Sequence, residues 1–72
     1  MNINEFRALK RGDRIENVMT GSCGTVTGVD DYRGKIAVSV QWNGMSERAS
    51  HAAGDWWFNE QSTAWMHWTL EN

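Results

Sequence analysis

From Lys35 to Trp42 the chain alternates strictly, with Ile36, Val38, Val40 and Trp42 at one parity and Ala37, Ser39 and Gln41 at the other. A two-residue period sends successive side chains to opposite faces of a strand, so this segment predicts a strand with one face buried and the other half-polar. Asn43-Gly44 follows at once. Both central residues of a type I′ turn need positive φ, which makes Asn-Gly a strong hairpin signal. Met45 to Ala49 is therefore expected to pair back on Val38 to Trp42. Residues 46–53 also carry fair helix propensity, but a short strand and a loop are the expectation there.

Upstream, Asp13 to Met19 reads as a strand, Thr20 to Gly24 as a turn of small residues, and Thr25 to Val29 as a second strand rich in β-branched residues. Gly28 places Val26 and Val29 three positions apart and breaks the alternation, as a β-bulge does. Asp30 to Gly34 is expected to be a loop. Downstream, Trp56 to Phe58 is a short aromatic strand or turn, Asn59 to Thr63 a polar loop, and Ala64 to Leu70 a last strand with Met66, Trp68 and Leu70 on one face. The N-terminal segment differs in period. Asn2 with Glu5 fits a capping box, Ile3, Phe6 and Leu9 recur at helical spacing, and Gly12 suits a C′ position, so a helix is expected over Ile3 to Lys10. Two turns are marginal alone. Phe6 and Leu9 must dock on the sheet.

Five short strands at spacings of roughly ten residues make the chain mainly β, and 72 residues leave room for one small barrel with a short N-terminal helix, a single domain over 1–72. A chain this short removes only about 60% of its unfolded surface from water, so large aromatics or a partner must complete the core. The chain contains no proline. Protection of sheet edges must then come from charges and bulges.

The stretches Leu9-Lys10-Arg11-Gly12-Asp13-Arg14-Ile15, Gly24-Thr25-Val26-Thr27-Gly28-Val29 and Ile36-Ala37-Val38-Ser39-Val40-Gln41-Trp42, with Gly21 between the first two, resemble the opening three strands of SH3-like small barrels of the KOW-related sort. The resemblance covers about half the chain and implies a five-stranded SH3-like barrel. Trp56-Trp57-Phe58 and the Trp65 to Trp68 segment depart from it. The same architecture hosts protein-peptide modules, RNA-contacting modules and the plasmid-type dihydrofolate reductases. The Gly-Asp-Arg-Ile opening is similar to that enzyme family, and Val40-Gln41-Trp42 is the nearest counterpart of its Val-Gln-Ile-Tyr motif. Fold analogy by itself does not assign an activity.

Candidate chemistry is sparse. Cys23 is the one cysteine, so it has no internal disulfide partner, and it lies in a glycine-flanked turn with no cation placed beside it. His51 with Asp55, and His67 with Glu71, are spaced to pair on a helix, but neither segment is expected to be helical. Both histidines are expected at the surface. One cysteine and two histidines lack the short spacings of zinc sites, Asp30-Asp31 lacks the ligands of a calcium loop, and no glycine-rich phosphate cradle precedes a helix. No catalytic residue, metal or cofactor is assigned.

Five tryptophans are the unusual feature. A barrel of this size holds two or three such rings, which assigns Trp42 and Trp68 to the core and Trp65, with one of Trp56 and Trp57, to an apolar surface patch. Such patches mark interaction sites. The expected function is a non-enzymatic binding or regulatory module engaging a protein partner, or a second copy of itself, through Trp56, Trp57 and Trp65. Residues 1–35 hold six of the seven Lys and Arg against five acids, and Arg7 and Arg11 are expected on one helix face near Lys10 and Arg14. That corner gives the alternative, single-stranded nucleic acid or RNA held by phosphate contact and stacking. A formal charge of −2 argues against binding by phosphate neutralisation alone. No apolar run reaches the roughly 20 residues of a membrane span. A cytoplasmic location is expected, with no membrane partner. Such a compact domain suits a small accessory protein of the kind phages and mobile elements encode.

Overall fold

Asn2 and Glu5 do form a reciprocal capping box: Asn2 Oδ1 accepts from the Glu5 amide at 2.8 Å and Glu5 Oε1 accepts from the Asn2 amide at 2.9 Å. In the computed structural model, which describes residues 1–53 and 56–71, the helix they open is α1, Ile3–Arg7. It ends at Arg7 with Ala8 as its C-cap, three residues short of the expected Lys10. Residues 10–13 instead form a turn in which Asp13 Oδ2 accepts from the Lys10 amide, and Gly12 adopts φ 96° within that turn rather than as a helix cap. Arg11 therefore does not share a helix face with Arg7.

Five antiparallel strands follow in one sheet that does not close on itself: β1 (Arg14–Asn17), β2 (Cys23–Tyr32), β3 (Lys35–Trp42), β4 (Trp57–Asn59) and β5 (Trp68–Leu70), in the order β4-β3-β2-β1-β5. The last strand thus returns beside the first. The predicted break at Gly28 is real: Val26 pairs with Val40 but Gly28 pairs with Ser39, leaving Thr27 as the extra residue of a bulge. Strand β2 runs three residues further than expected. The turn after it is Arg33-Gly34, with φ of 55° and 80°, so the two positive φ values of a type I′ hairpin fall there.

At Asn43-Gly44 only Gly44 has positive φ, and the Met45 amide donates to the Trp42 carbonyl at 3.1 Å, the pattern of a type II turn. That turn releases the chain from the sheet. Ser46 Oγ accepts from the Ala49 amide, which starts α2, Glu47–Ala53. Local helix propensity outweighed the hairpin reading, and the strand that pairs with β3 is β4. The Ala64–Leu70 strand is also corrected. Ala64–His67 is a 3₁₀ turn, and only Trp68–Leu70 is extended.

Phe6, Leu9, Ile15, Val26, Val38, Val40, Trp42, Trp65 and Trp68 form the core. Trp68 is fully buried and lies edge-on to Phe58 (centroids 4.7 Å, 83°) and to Trp42 (5.8 Å, 76°), with Phe6 tilted 6.2 Å away. Phe6 stacks on Trp65 at 4.8 Å, so the short α1 docks on rings. The Nε1 atoms of Trp65 and Trp68 are buried without a hydrogen-bond partner among the described residues. The radius of gyration is 11.1 Å, matching the roughly 11 Å of a single globule of this length.

Curvature demands close approach at Gly24, which pairs with Ile15 on one side and Trp42 on the other. A Cβ there would lie 2.7 Å from Val40 Cγ1 and 2.8 Å from Trp42 Cε3. Gly24→Ala is therefore expected to lower stability by about 1–3 kcal/mol through overpacking, read as a lower midpoint in urea denaturation.

Candidate functional site

Residues paired across strands share a face. Val38 with Phe58, and Val29 with Val38, face the core, so Ala37 with Asn59, Ser39 with Trp57, and Tyr32 with Lys35 face outward. On that outer face Tyr32 is 70% and Trp57 44% exposed, while Ala37 between them is buried at 5%. The rings wall a groove of about 200 Å³ floored by Ala37 and rimmed by Lys35, Asn59 and Glu60. Arg33 adds a guanidinium 5.4 Å from the Tyr32 ring centroid, a cation–π contact.

The groove is fixed by Glu60. Its Oε1 accepts from the Ile36 amide at 2.7 Å, and Arg7 donates to Oε2 at 2.8 Å and to Oε1 at 3.3 Å. One carboxylate therefore ties the end of α1 to the start of β3. The Arg7 hydrogen bond, then the Ile36 amide, hold its pKa below the ordinary carboxylate value, and Lys35 adds to the pull. The Arg7 guanidinium is correspondingly raised by Glu60.

The tryptophan assignments divide. Trp42 and Trp68 are in the core, 7% and 0% exposed, as expected. Trp57 is exposed, and Trp56 is half-buried with its ring 4.0 Å from that of His51. Trp65 is corrected: it is 5% exposed and stacked on Phe6, because a 3₁₀ turn rather than a strand carries it, and strand alternation does not apply. Met66, expected inward, is 55% exposed for the same reason. Tyr32 carries no signal in a sequence pattern that makes Asp30 to Gly34 a loop. Extending both strands to an Arg33-Gly34 turn would have placed it opposite Lys35.

The basic corner is dispersed. Arg7 is engaged by Glu60, while Lys10, Arg11 and Arg14 are exposed along the chain from the end of α1 into β1. Strands β1 and β4 are three inter-strand spacings apart, about 14 Å, so Arg14 and Trp57 do not form one patch. Gln41 is exposed on the outer face, and its neighbours Val40 and Trp42 point inward.

Cross-strand pairing of Glu16 with Cys23, and the return of β5, bring Glu16, Cys23 and Glu71 together with ligand atoms within 4.8 Å of one another. Spacing along the chain gives no sign of this. Cys23 Sγ donates to Glu71 Oε1 at 3.5 Å. Burial first, then Glu71 and Glu16, push the thiol pKa up, with Arg14 opposing. A thiol held protonated is the reverse of an activated nucleophile. His51 and His67 are both exposed, as expected; Asp55, the spaced partner of His51, lies outside the described residues. Among the described residues no helix is long and apolar enough to cross a membrane.

Comparison of the chain with protein-family models, with curated proteins and with solved structures gives no match.

Glu60 makes a signed pH prediction. Its folded-state pKa is lowered, so its contribution to stability is complete above the ordinary carboxylate value of 4.5 and is lost as the pH falls through the folded value. Glu60→Gln is expected to flatten the loss of stability below pH 4.5, measured by urea unfolding across an acid pH series. An unchanged acid limb would refute the clamp.

Proposed function

We propose that this chain is a non-enzymatic binding module, an SH3-like curled barrel that holds a protein partner in the groove between Tyr32 and Trp57. The observation that carries the reading is Trp57 itself: an indole left 44% exposed in a protein that buries Trp42, Trp65 and Trp68. An exposed Trp beside an exposed Tyr, over an apolar floor, has the composition of an interaction hot spot. Placement on strands makes it rigid, so little side-chain entropy is lost on binding. The SH3-like assignment draws its support from the order β4-β3-β2-β1-β5, which sets the last strand next to the first, and from the bulge that bends β2.

The nucleic-acid reading has less support. Arg7 is committed to Glu60, and the remaining cations of the corner are spread away from the exposed rings. Arg33 and Lys35 do flank Tyr32, but two cations on a chain of formal charge −2 make a small phosphate-binding footprint.

Selection from a displayed library of random peptides tests the proposal. Enriched sequences are expected to lose at least about tenfold in affinity on Trp57→Ala and on Tyr32→Ala, with stability changed by no more than about 1 kcal/mol. Trp65→Ala is expected to cost about 3–5 kcal/mol of stability instead, which separates a core ring from a binding ring. Sequences that bind Trp57→Ala as tightly as the native chain would overturn the proposal. So would single-stranded oligonucleotides that quench tryptophan emission with a steep salt dependence.

A further inference from the structure

The register of β4 decides more than which side chains face outward. Val40 donates to the Trp56 carbonyl and Glu60 to the Ile36 carbonyl, so the hydrogen-bonded pairs between β3 and β4 are Val40 with Trp56, Val38 with Phe58 and Ile36 with Glu60. Trp57 and Asn59 are the alternate, non-bonded pairs, and their backbone N–H and C=O groups point away from β3. The Asn59 carbonyl accepts from the Ser62 amide. Trp57 takes no backbone partner among the described residues, and β4 is an edge of the sheet. Among the described residues, a donor and an acceptor without partners thus sit on the residue whose ring walls the groove.

Charge around the groove is uneven. Its one lining carboxylate, Glu60, is already satisfied by Arg7 and the Ile36 amide. Lys35 on the rim and Arg33 beside Tyr32 make no ion pair among the described residues, against one nearby outward carboxylate, Asp30, which lies across from Ala37. The groove volume of about 200 Å³ fits one apolar side chain rather than a folded surface.

Resting on the binding reading above, we infer that β4 is a docking edge, to which an extended segment of the partner adds antiparallel as a sixth strand. The partner residue opposite Trp57 exchanges both backbone bonds with it. An apolar side chain two positions earlier lies beside Asn59 at the Trp57 side of the groove, and an acidic side chain two positions before that reaches toward the long side chain of Lys35. The main chain supplies affinity and the alternate side chains supply selectivity.

The probe is the capped hexapeptide acetyl-Glu-Thr-Leu-Thr-Val-Thr-amide, titrated into ¹⁵N-labelled protein. Binding is expected to shift the Trp57 and Phe58 amides most, and to slow exchange of the Trp57 amide by about tenfold or more. N-methylation at Val, which removes the bond to the Trp57 carbonyl, is expected to weaken binding by about tenfold, and Glu replaced by Lys by several-fold, the latter difference shrinking with salt. If the N-methylated peptide binds equally while Trp57→Ala abolishes binding, strand addition is wrong and the groove reading stands. Binding undiminished in Trp57→Ala sinks both. Absence of any shift at millimolar peptide overturns strand addition, and the groove is then judged by library selection alone. Protection of the Trp57 amide that grows with protein concentration and without peptide assigns the edge to a second copy, which also overturns it.

Discussion

Edge-to-face packing around Trp68 is the contact on which the rest of this fold depends. Trp68 belongs to a three-residue strand at the sheet's edge, too short to hold itself by ladder bonds. Its indole meets Trp42 at the end of β3, Phe58 in β4 and Phe6 in α1, so four elements distant in sequence share one ring. A sheet that stays open needs a filling that is large, stiff and tolerant of oblique angles. Aromatic rings supply it, each burying about 150–250 Å² with few rotatable bonds.

Filling the interior with rings also settles which of them stay outside. Trp65 enters the core because a 3₁₀ turn presents it to Phe6, and Trp57 cannot, because Phe58 has already taken the inward position on β4. The proposed binding surface is therefore a by-product of register. Glu60 then makes that surface stiff, since α1 and β3 are joined through its carboxylate at the groove's rim.

The sequence was most legible where period and local chemistry agreed. The capping box, the alternation of β3 and the bulge beside Gly28 all depend on residues within a few positions of one another. Legibility failed at Asn43-Gly44, where a turn signal was sound but its consequence was set by Ser46 capping a helix. It failed again at Trp65, where the two-residue period was extended over a segment that coils. For the candidate site, Trp57 was visible as an excess indole. Tyr32 was not, since its place opposite Lys35 follows from the Arg33-Gly34 turn and not from any pattern around it. The Glu16–Cys23–Glu71 cluster is built wholly by tertiary return of β5, and local reasoning has no access to it.

The bulge at Thr27 bears on how this chain tolerates changes of length. Deleting that residue would restore an unbroken ladder in which Val26 still meets Val40 and Gly28 still meets Ser39, so no side chain changes face and only the local bend and added twist of β2 are lost. A residue added or removed in the regularly paired part of β2 would instead turn the residues on one side of it to the opposite face. Residues 61–63, past the Glu60 clamp, join two elements without committing a hydrophobic face, so extra residues there shift nothing inward. Descendants of this sequence are thus free to grow at that connection, are held to a fixed count along the paired stretches of β2, and can lose Thr27 without a change of face.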